Sequence, residues 1–524
     1  MSFTTILSAR LQLSLNWVSN YRYSLLVLFL LLQVSAFSLQ GIWVEDFWEH
    51  SAAVSEFMRN GLNPAHPQLA LNAPHTFLNP YSFGVGLLAS ALHLNAITAL
   101  AIVGVMNFVL FCWGLRAFVE TQCDGQKQTS KVSFYALLFI LFLWGADPWP
   151  YSGFFNFQIL LFNLPYPSTF IGGLSLLTLG YVGQRKMGLH AGQWVGLMLV
   201  ICLALLTHPL TAQFLVVGLS AQAFFVIKNT LPHLLKLFIA CAVSVALATL
   251  WPFYPFLELL QGAGAVYDLS NGTMYYHFLA RVWPFILLSP LIAWTIVQRQ
   301  HRVLLFIFVS TIAIYIFGLY TQKYSYGRII SYTVMALQIC CALMAAKTEN
   351  LLGKFRWHAL MLYQVSLLSI LIGLSFLPLQ SSINRLLTAA NSIRLDRPVF
   401  NQVSYKDYSL LQNSISAGSI VFANMDVSWL LPSFGGKVIV SDHPLAFVSD
   451  AAQRREDSSL FFSTSTSPSV RTGLLVKYHA DYLLLDKRFD QNWEAISQSI
   501  YDSARGQKQF ENDRFLLITL NKLN

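Results

Sequence analysis

Apolar runs of bilayer length, separated by short polar or proline-rich breaks, recur from the N-terminus to about residue 380 and then stop. A helix that crosses a hydrocarbon core needs about 20 predominantly apolar residues, and irregular backbone between such runs must leave the core or line a cavity. The pattern predicts eleven spans, at 23–40, 96–118, 132–147, 158–183, 192–207, 210–227, 236–256, 280–297, 303–320, 329–346 and 357–378. The first run continues to Leu39 with no small-x-small cleavage site behind it, so it reads as a retained anchor.

Between the first two spans, residues 41–95 form a long polar connection with its own periodicity. Asp46 to Asn60 has helical spacing, with Phe47, Val54, Phe57 and Met58 on one side, and Gly61, Pro64 and Pro67 end it. A proline-rich crossing follows, from Asn63 to Pro80, and then Tyr81 to Leu94, too short and glycine-interrupted to span, which reads as an interfacial helix.

Beyond about Gln380 the composition is that of a soluble protein. Short apolar runs at 419–423, 437–441, 482–485 and 515–519 read as buried strands, and 445–455, 468–478 and 490–504 have helical spacing between them. The expected architecture is a polytopic α-helical membrane protein. Its transmembrane module covers residues 1–379, and a small α/β domain covers 380–524, a length able to hold its own core.

Composition fits this class, being 55% hydrophobic and 11% charged over 524 residues. The excess of 33 basic over 24 acidic residues is read as topology, because no basic block with interleaved aromatics offers a nucleic-acid groove. Cytoplasmic loops collect Lys and Arg. With the N-terminus in the cytoplasm, fourteen basic residues before position 380 fall inside and four, Arg59, Arg281, Lys323 and Arg328, fall outside. The 41–95 loop and the C-terminal domain then lie on the outer face, which is periplasmic for a bacterial inner membrane protein. The six cysteines fall in spans or a cytoplasmic loop, so none is placed for an extracytoplasmic disulfide.

Candidate chemistry concentrates in Gly41 to His50, where Glu45, Asp46, Glu49 and His50 follow the first span directly. Ionisable groups at a membrane boundary are costly unless solvated or paired, which marks them as site candidates. Asp46 is the expected general base, with Glu45 as its neighbour and alternative; on a helix, Asp46, Glu49 and His50 share a face. The competing reading is an acid-rich helix start favoured by the dipole, which leaves Trp43 and Trp48 to be explained as interface anchors. His50, His66 and His75 with these acids are of metal-ligating type, but their spacing matches no compact ligand motif, and no metal is expected.

Asp147, in a turn of breakers and aromatics, is a second acid for the outer face or an Asx-turn residue. His208, between two apolar runs, faces a cavity or bonds across helices. Lys323 and Arg328 are expected to meet an anionic phosphate, in preference to Arg281, because residues 322–326 are polar and aromatic. Ser441-Asp442-His443-Pro444 holds the residue types of a hydrolytic triad, but neighbours on one turn cannot form its geometry, so a structural or recognition role is expected. No nucleophile elbow, P-loop or dinucleotide fingerprint is present.

The layout, with Glu45-Asp46, then Glu49-His50 and the Asn63 to Pro67 crossing, and with Tyr166 to Phe170 and Thr207-His208-Pro209 further on, resembles the GT-C superfamily of integral-membrane glycosyltransferases. That superfamily includes protein mannosyltransferases, aminoarabinose transferases and oligosaccharyltransferases. The resemblance implies inverting transfer of a sugar from a polyprenyl-phosphate donor to an acceptor hydroxyl or amine on a glycan, lipid or protein, with Asp46 as base. Other classes that polar breaks inside a membrane protein suggest are a transporter or lipid flippase and a non-catalytic envelope-assembly scaffold, although no paired halves with corresponding broken helices are seen.

Overall fold

The computed structural model describes residues 3–355 except 124, 146, 186–187, 228–229 and 298–300, then residue 366, and residues 402–521 except 504. The expected eleventh span, 357–378, and the expected start of the soluble domain at 380 lie outside the described residues, residue 366 apart.

In chain order the elements are α1 (Phe3–Ser38), β1 (Ile42–Val44), α2 (Phe47–Asn60), α3 (Pro80–Ala91), α4 (Ala96–Glu120), α5 (Gln126–Phe142), α6 (Phe157–Asn163) and α7 (Pro167–Gly183). They continue with α8 (Ala191–Thr207), α9 (Pro209–Phe225), α10 (Thr230–Ala248), α11 (Phe256–Gln261), α12 (Asp268–Asn271), α13 (Phe278–Val297), α14 (Arg302–Tyr320) and α15 (Ile330–Phe355). The strands that follow are β2 (Gln402–Ser404), β3 (Ile420–Ala423), β4 (Lys437–Val438), β5 (Tyr482–Asp486), β6 (Gly506–Glu511) and β7 (Phe515–Leu520).

Among the described residues five helices are long and apolar enough to cross a membrane: Tyr21–Ser38, Ala96–Glu120, Thr230–Ala248, Arg302–Tyr320 and Tyr324–Leu352. Shorter apolar helices lie at Gln128–Phe142, Ala191–Thr207 and Pro209–Phe225.

Two of the expected spans differ in form. The run 158–183 is two helices, α6 and α7, because Pro165 and Pro167 lack the amide a continuous helix needs. The carbonyl freed at Leu164 accepts from Asn107 Nδ2 at 2.8 Å, so the break is satisfied inside the protein. The run 236–256 begins earlier, at Thr230, and ends at Ala248, ahead of Pro252 and Pro255.

The chain divides into two compact units. The first comprises Met1–Leu39, Gly104–Leu250 and Asp268–Asp396. Within it Glu349 of α15 is buried and accepts from Arg22 of α1 at 2.9 Å, Tyr135 of α5 at 2.7 Å and Lys131 of α5 at 3.0 Å, tying three helices by a paired rather than stranded charge.

α4 and α7 touch through small residues. A Cβ at Gly114 would lie 2.4 Å from the Gly173 carbonyl oxygen, and one at Gly180 2.5 Å from the Ala117 carbonyl carbon. Both neighbours are backbone and cannot rotate away, so the helices would have to part. Gly114→Val is therefore expected to cost about 1–3 kcal/mol by overpacking. The check is the melting temperature of the purified variant, with Gly196→Val, which meets open space, as the unchanged control.

The second unit comprises Gln40–Val103, Trp251–Tyr267 and Arg397–Asn524. The 41–95 loop thus clusters with C-terminal residues, a grouping the sequence pattern did not suggest. Its main sheet has the order β4-β3-β5-β7-β6, with β3 parallel to β4 and β5, and β7 antiparallel to β5 and β6. Helices at Ala451–Phe462, Pro468–Lys477 and Trp493–Asp502 accompany it, and Phe422, Phe461, Leu483, Leu485, Ile500 and Leu516 form its buried core. Each strand of that core is a near-continuous apolar run, as expected where both faces of a sheet are covered.

Candidate active site

The second unit builds its site from the first loop. β1 pairs antiparallel with β2, Trp43 opposite Val403, and the Tyr405 amide donates to the Gly41 carbonyl at 2.9 Å. Gly41 has φ +67°, a conformation that favours glycine, and starts the strand. The turn from β1 into α2 is made at Glu45, whose φ is +40°. A non-glycine residue in that region is uncommon and stores local strain, a feature that clusters at functional sites. Glu45 keeps its carbonyl on the Trp48 amide at 3.1 Å and delivers Asp46 to the head of α2.

Trp43 and Trp48 are not interface anchors. Both are fully buried: Trp43 stacks on Phe47 at 4.3 Å between centroids, and Trp48 lies against Phe434 at 5.7 Å. The aromatic flanks of the acid cluster are therefore the packing that fixes the start of α2.

Asp46 precedes α2 without capping it, since its side chain accepts no hydrogen bond from the helix amides. The carboxylate is half-buried and lies 3.6 Å from His443 Nδ1. Glu49, one turn on, is buried and also 3.6 Å from His443 Nδ1. Gln68 Nε2 donates to Glu49 Oε1 at 2.8 Å. Burial pushes the Glu49 carboxyl up to about 7, with Asp46 adding to the rise, and with His443 and the Gln68 bond opposing it. Burial alone would lower His443, but Glu49, Asp46, Asp442 and Glu45 outweigh it and the imidazole is raised above its usual value.

His50 is buried, stacked on Phe77 at 4.3 Å, and burial pushes its pKa down to about 4. His66 and His75 pack edge to face at 4.8 Å. His66 Nδ1 accepts from the Gln68 and Leu69 amides, and His75 Nδ1 from the Phe77 amide. Burial holds both rings neutral, His75 at about 3. With Nδ1 accepting, the ring proton sits on Nε2, which removes the metal-ligating lone pair from both. Among the described residues the group with metal-ligating reach is instead Asp46, Glu49 and His443, whose donor atoms all lie within 4.8 Å of one another. Tyr267 borders the same region, its hydroxyl 3.3 Å from that of Thr76. Its pKa is pushed up to about 12, chiefly by burial.

The C-terminal strands hold the loop in place. Lys437 Nζ donates to Glu56 Oε2 at 2.7 Å and to the His66 and Pro67 carbonyls at 2.6 and 3.1 Å. Arg59 joins Glu56 to the Gly435 carbonyl, and the Val438 amide donates to the Gln68 carbonyl at 2.8 Å. The crossing residues 66–69 are thereby an extra edge partner of β4, with Leu69 bridged to Val438.

Asp147, His208, Lys323 and Arg328 belong to the first unit. Asp147 is exposed and pairs with buried Arg281 at 3.3 Å, so Arg281 rather than Arg328 takes the acid. Arg328 donates to Asn271 Oδ1 at 3.0 Å and Ser152 Oγ at 2.6 Å and lies over the Tyr151 ring. Lys323 is exposed. His208 stands at the break between α8 and α9, where its Nδ1 accepts from the Thr211 amide at 3.2 Å.

The sequence matches no protein-family model and no curated protein sequence. Solved structures do match. An oligosaccharyltransferase from Archaeoglobus fulgidus, tethered to an acceptor peptide, aligns over 97% of this chain and 75% of its own at 10% identity, with a TM-score of 0.51. ArnT from Cupriavidus metallidurans in the apo state aligns over 96% of this chain and 98% of its own at 12% identity, with a TM-score of 0.53. The chain has a GT-C fold.

Sequence spacing did not bring His443 to the acid cluster, nor Gln68, which bonds Glu49. His443 stands on a turn behind β4, nearly four hundred residues from Asp46, and the only signal for it was the polar Ser441 to Pro444 turn itself.

Proposed function

We propose that the chain is a membrane glycosyltransferase that moves a sugar from a polyprenyl-phosphate donor to an acceptor hydroxyl or amine, with inversion at the sugar carbon. The observation that carries the reading is Asp46: a carboxylate at a helix start that is left uncommitted by that helix, half-exposed, and fixed by the buried Trp43, Phe47 and Trp48 around it. The GT-C fold shared with two glycosyltransferases supports the reaction class.

Asp46 takes the proton of the acceptor hydroxyl or amine as that atom attacks the anomeric carbon from the side opposite the phosphate. The bond from carbon to the phosphate oxygen breaks, and polyprenyl phosphate leaves with the electron pair. Single displacement asks for one base and no protein nucleophile, and Asp46 is the base of this reading. A divalent cation on Asp46, Glu49 and His443 would neutralise the acids and polarise an oxygen ligand.

Phosphate recognition is assigned to Arg328 and Lys323, and the membrane is taken as a bacterial inner membrane with the N-terminus in the cytoplasm and residues 380–524 as a periplasmic domain. A polyprenyl-phosphate sugar is expected to raise the melting temperature of the purified protein, where a polyprenol lacking phosphate does not. A hundredfold excess over Kd corresponds to about 2.7 kcal/mol of stabilisation. Arg328→Gln is expected to lose that protection, measured against the variant's own melting temperature without donor, and protection retained in full by this variant would remove Arg328 from the donor site.

A further inference from the structure

We infer that Gln68 is a positioning residue for the transfer reaction: held to the edge of the C-terminal sheet, it fixes Glu49 and, through Glu49 and His443, the carboxylate of Asp46. The inference rests on the glycosyltransferase reading and adds to it a residue from outside the acid cluster.

Gln68 follows Pro67 in the proline-rich crossing, where no helix or hairpin fixes the backbone. The C-terminal strand β4 does so instead. The Val438 amide donates to the Gln68 carbonyl at 2.8 Å, Leu69 is bridged to Val438 in the parallel sense, and Lys437 Nζ donates to the His66 and Pro67 carbonyls just ahead. The Gln68 and Leu69 amides donate to His66 Nδ1 at 3.2 and 3.0 Å. Both polar groups of the Gln68 backbone are thus tied, and full burial leaves the side chain little room to change rotamer.

This anchored residue carries one amide to one carboxylate. Gln68 Nε2 donates to Glu49 Oε1 at 2.8 Å, the one hydrogen bond that this carboxylate accepts among the described residues. The same oxygen stands 3.6 Å from His443 Nδ1, and that nitrogen stands 3.6 Å from Asp46 Oδ1. Attraction at that distance is too long for a hydrogen bond and sets no angle, so the direction has to come from an end that is fixed. Gln68 is that end.

A second observation sets this contact apart from packing. The side-chain oxygen of Gln68, Oε1, is buried and has no hydrogen-bond partner. A glutamine buried for stability alone would satisfy both ends of its amide, or be replaced by an apolar residue of its shape. Here the N–H is kept on Glu49 while the oxygen goes unpaired, a local cost of the kind that gathers at functional sites.

Single-turnover consumption of a polyprenyl-phosphate sugar by the full chain in lipid nanodiscs tests the role. Gln68→Met keeps the length of the side chain and loses the N–H. It is expected to lower the rate at saturating donor by about 10- to 100-fold, the order that a slightly misplaced reacting group costs, and to leave the donor concentration for half-maximal rate unchanged. In the Asp46→Asn background the same substitution is expected to cost no more than about twofold, because a residue that acts through the base then has nothing left to place. Gln68→Asn, which keeps the amide but withdraws it by one methylene, is expected to repeat both results and serves if the methionine variant folds poorly. An inert wild type overturns the glycosyltransferase reading and the positioning role together. An active wild type matched in rate by a folded Gln68→Met protein, or a loss of equal size with and without Asp46→Asn, overturns the positioning role alone.

Discussion

Asp46→Asn is expected to lose about 100- to 10,000-fold in turnover while still binding the lipid-linked donor, the range that removal of a positioned general base costs. The substitution is nearly isosteric and leaves the surrounding rings untouched. Because the carboxylate neither caps α2 nor is fully buried, its replacement removes no structural hydrogen bond among those the helix start uses. Stability is therefore expected to stay near that of the wild type, and the loss to fall on turnover rather than on KM. Glu45→Gln is the matched control. Its side chain is exposed, and the backbone turn it makes at φ +40° is one that glutamine adopts as poorly or as well as glutamate does. A large loss from Glu45→Gln with little from Asp46→Asn would reverse the assignment between the two neighbours.

Lys437→Met is expected to be the most destabilising single change in the second unit, by about 3–5 kcal/mol, because it strands a buried carboxylate. Glu56 is fully buried and gathers donors from Lys437, Arg59, Asn60 and the Ala65 amide, and Lys437 holds the His66 and Pro67 carbonyls as well. The two partners respond to burial differently. Burial pushes Lys437 down to about 8, whereas Glu56, which burial alone would raise, is held below its ordinary 4.5 by Lys437 and the other donors. The Glu56 direction sets the acid-side behaviour. Its folded value lies below the unfolded one, so the stability it contributes is complete above 4.5 and is lost as pH falls through the folded value. Chemical denaturation at neutral pH and near pH 3 reads both effects. Adding Glu56→Gln to Lys437→Met is expected to recover part of the loss and to flatten the acid dependence, because the stranded charge is gone.

The pattern of the chain exposed some of this and hid the rest for physical reasons. Asp46 and Glu49 were legible because acids directly behind a bilayer-length apolar run need a local explanation. α2 was legible from helical spacing and α3 as a short apolar stretch beside the membrane, while its start was missed: Asn79 and Pro80, read as the end of the crossing, begin α3 with the Asn79 side chain accepting from the Ser82 amide. The break inside 158–183 was written in Pro165 and Pro167, yet the run was apolar enough on both sides to read as continuous.

Other features are not local at all. Trp43 and Trp48 look like interface residues by composition, and only the C-terminal rings that cover them, Phe434 above all, make them core. β1 and β2 are three residues each and become strands only by pairing with one another across the chain. Nothing in the run 437–441 points from Lys437 to Glu56, its partner 381 residues away. His443 acquires its partners in the same way, from residues that periodicity cannot connect to it.

The measurement that bears most directly on the account is the fate of the donor. The purified wild-type chain in lipid nanodiscs is incubated with a panel of polyprenyl-phosphate sugars and membrane-derived glycan, lipid and protein acceptors, and polyprenyl phosphate release is followed together with the anomeric configuration of the transferred sugar. The account predicts stoichiometric loss of one donor, release of polyprenyl phosphate and an inverted linkage on the acceptor. A donor that raises the melting temperature of the protein and is then recovered intact from every reaction, as a flippase or a scaffold would leave it, would contradict it.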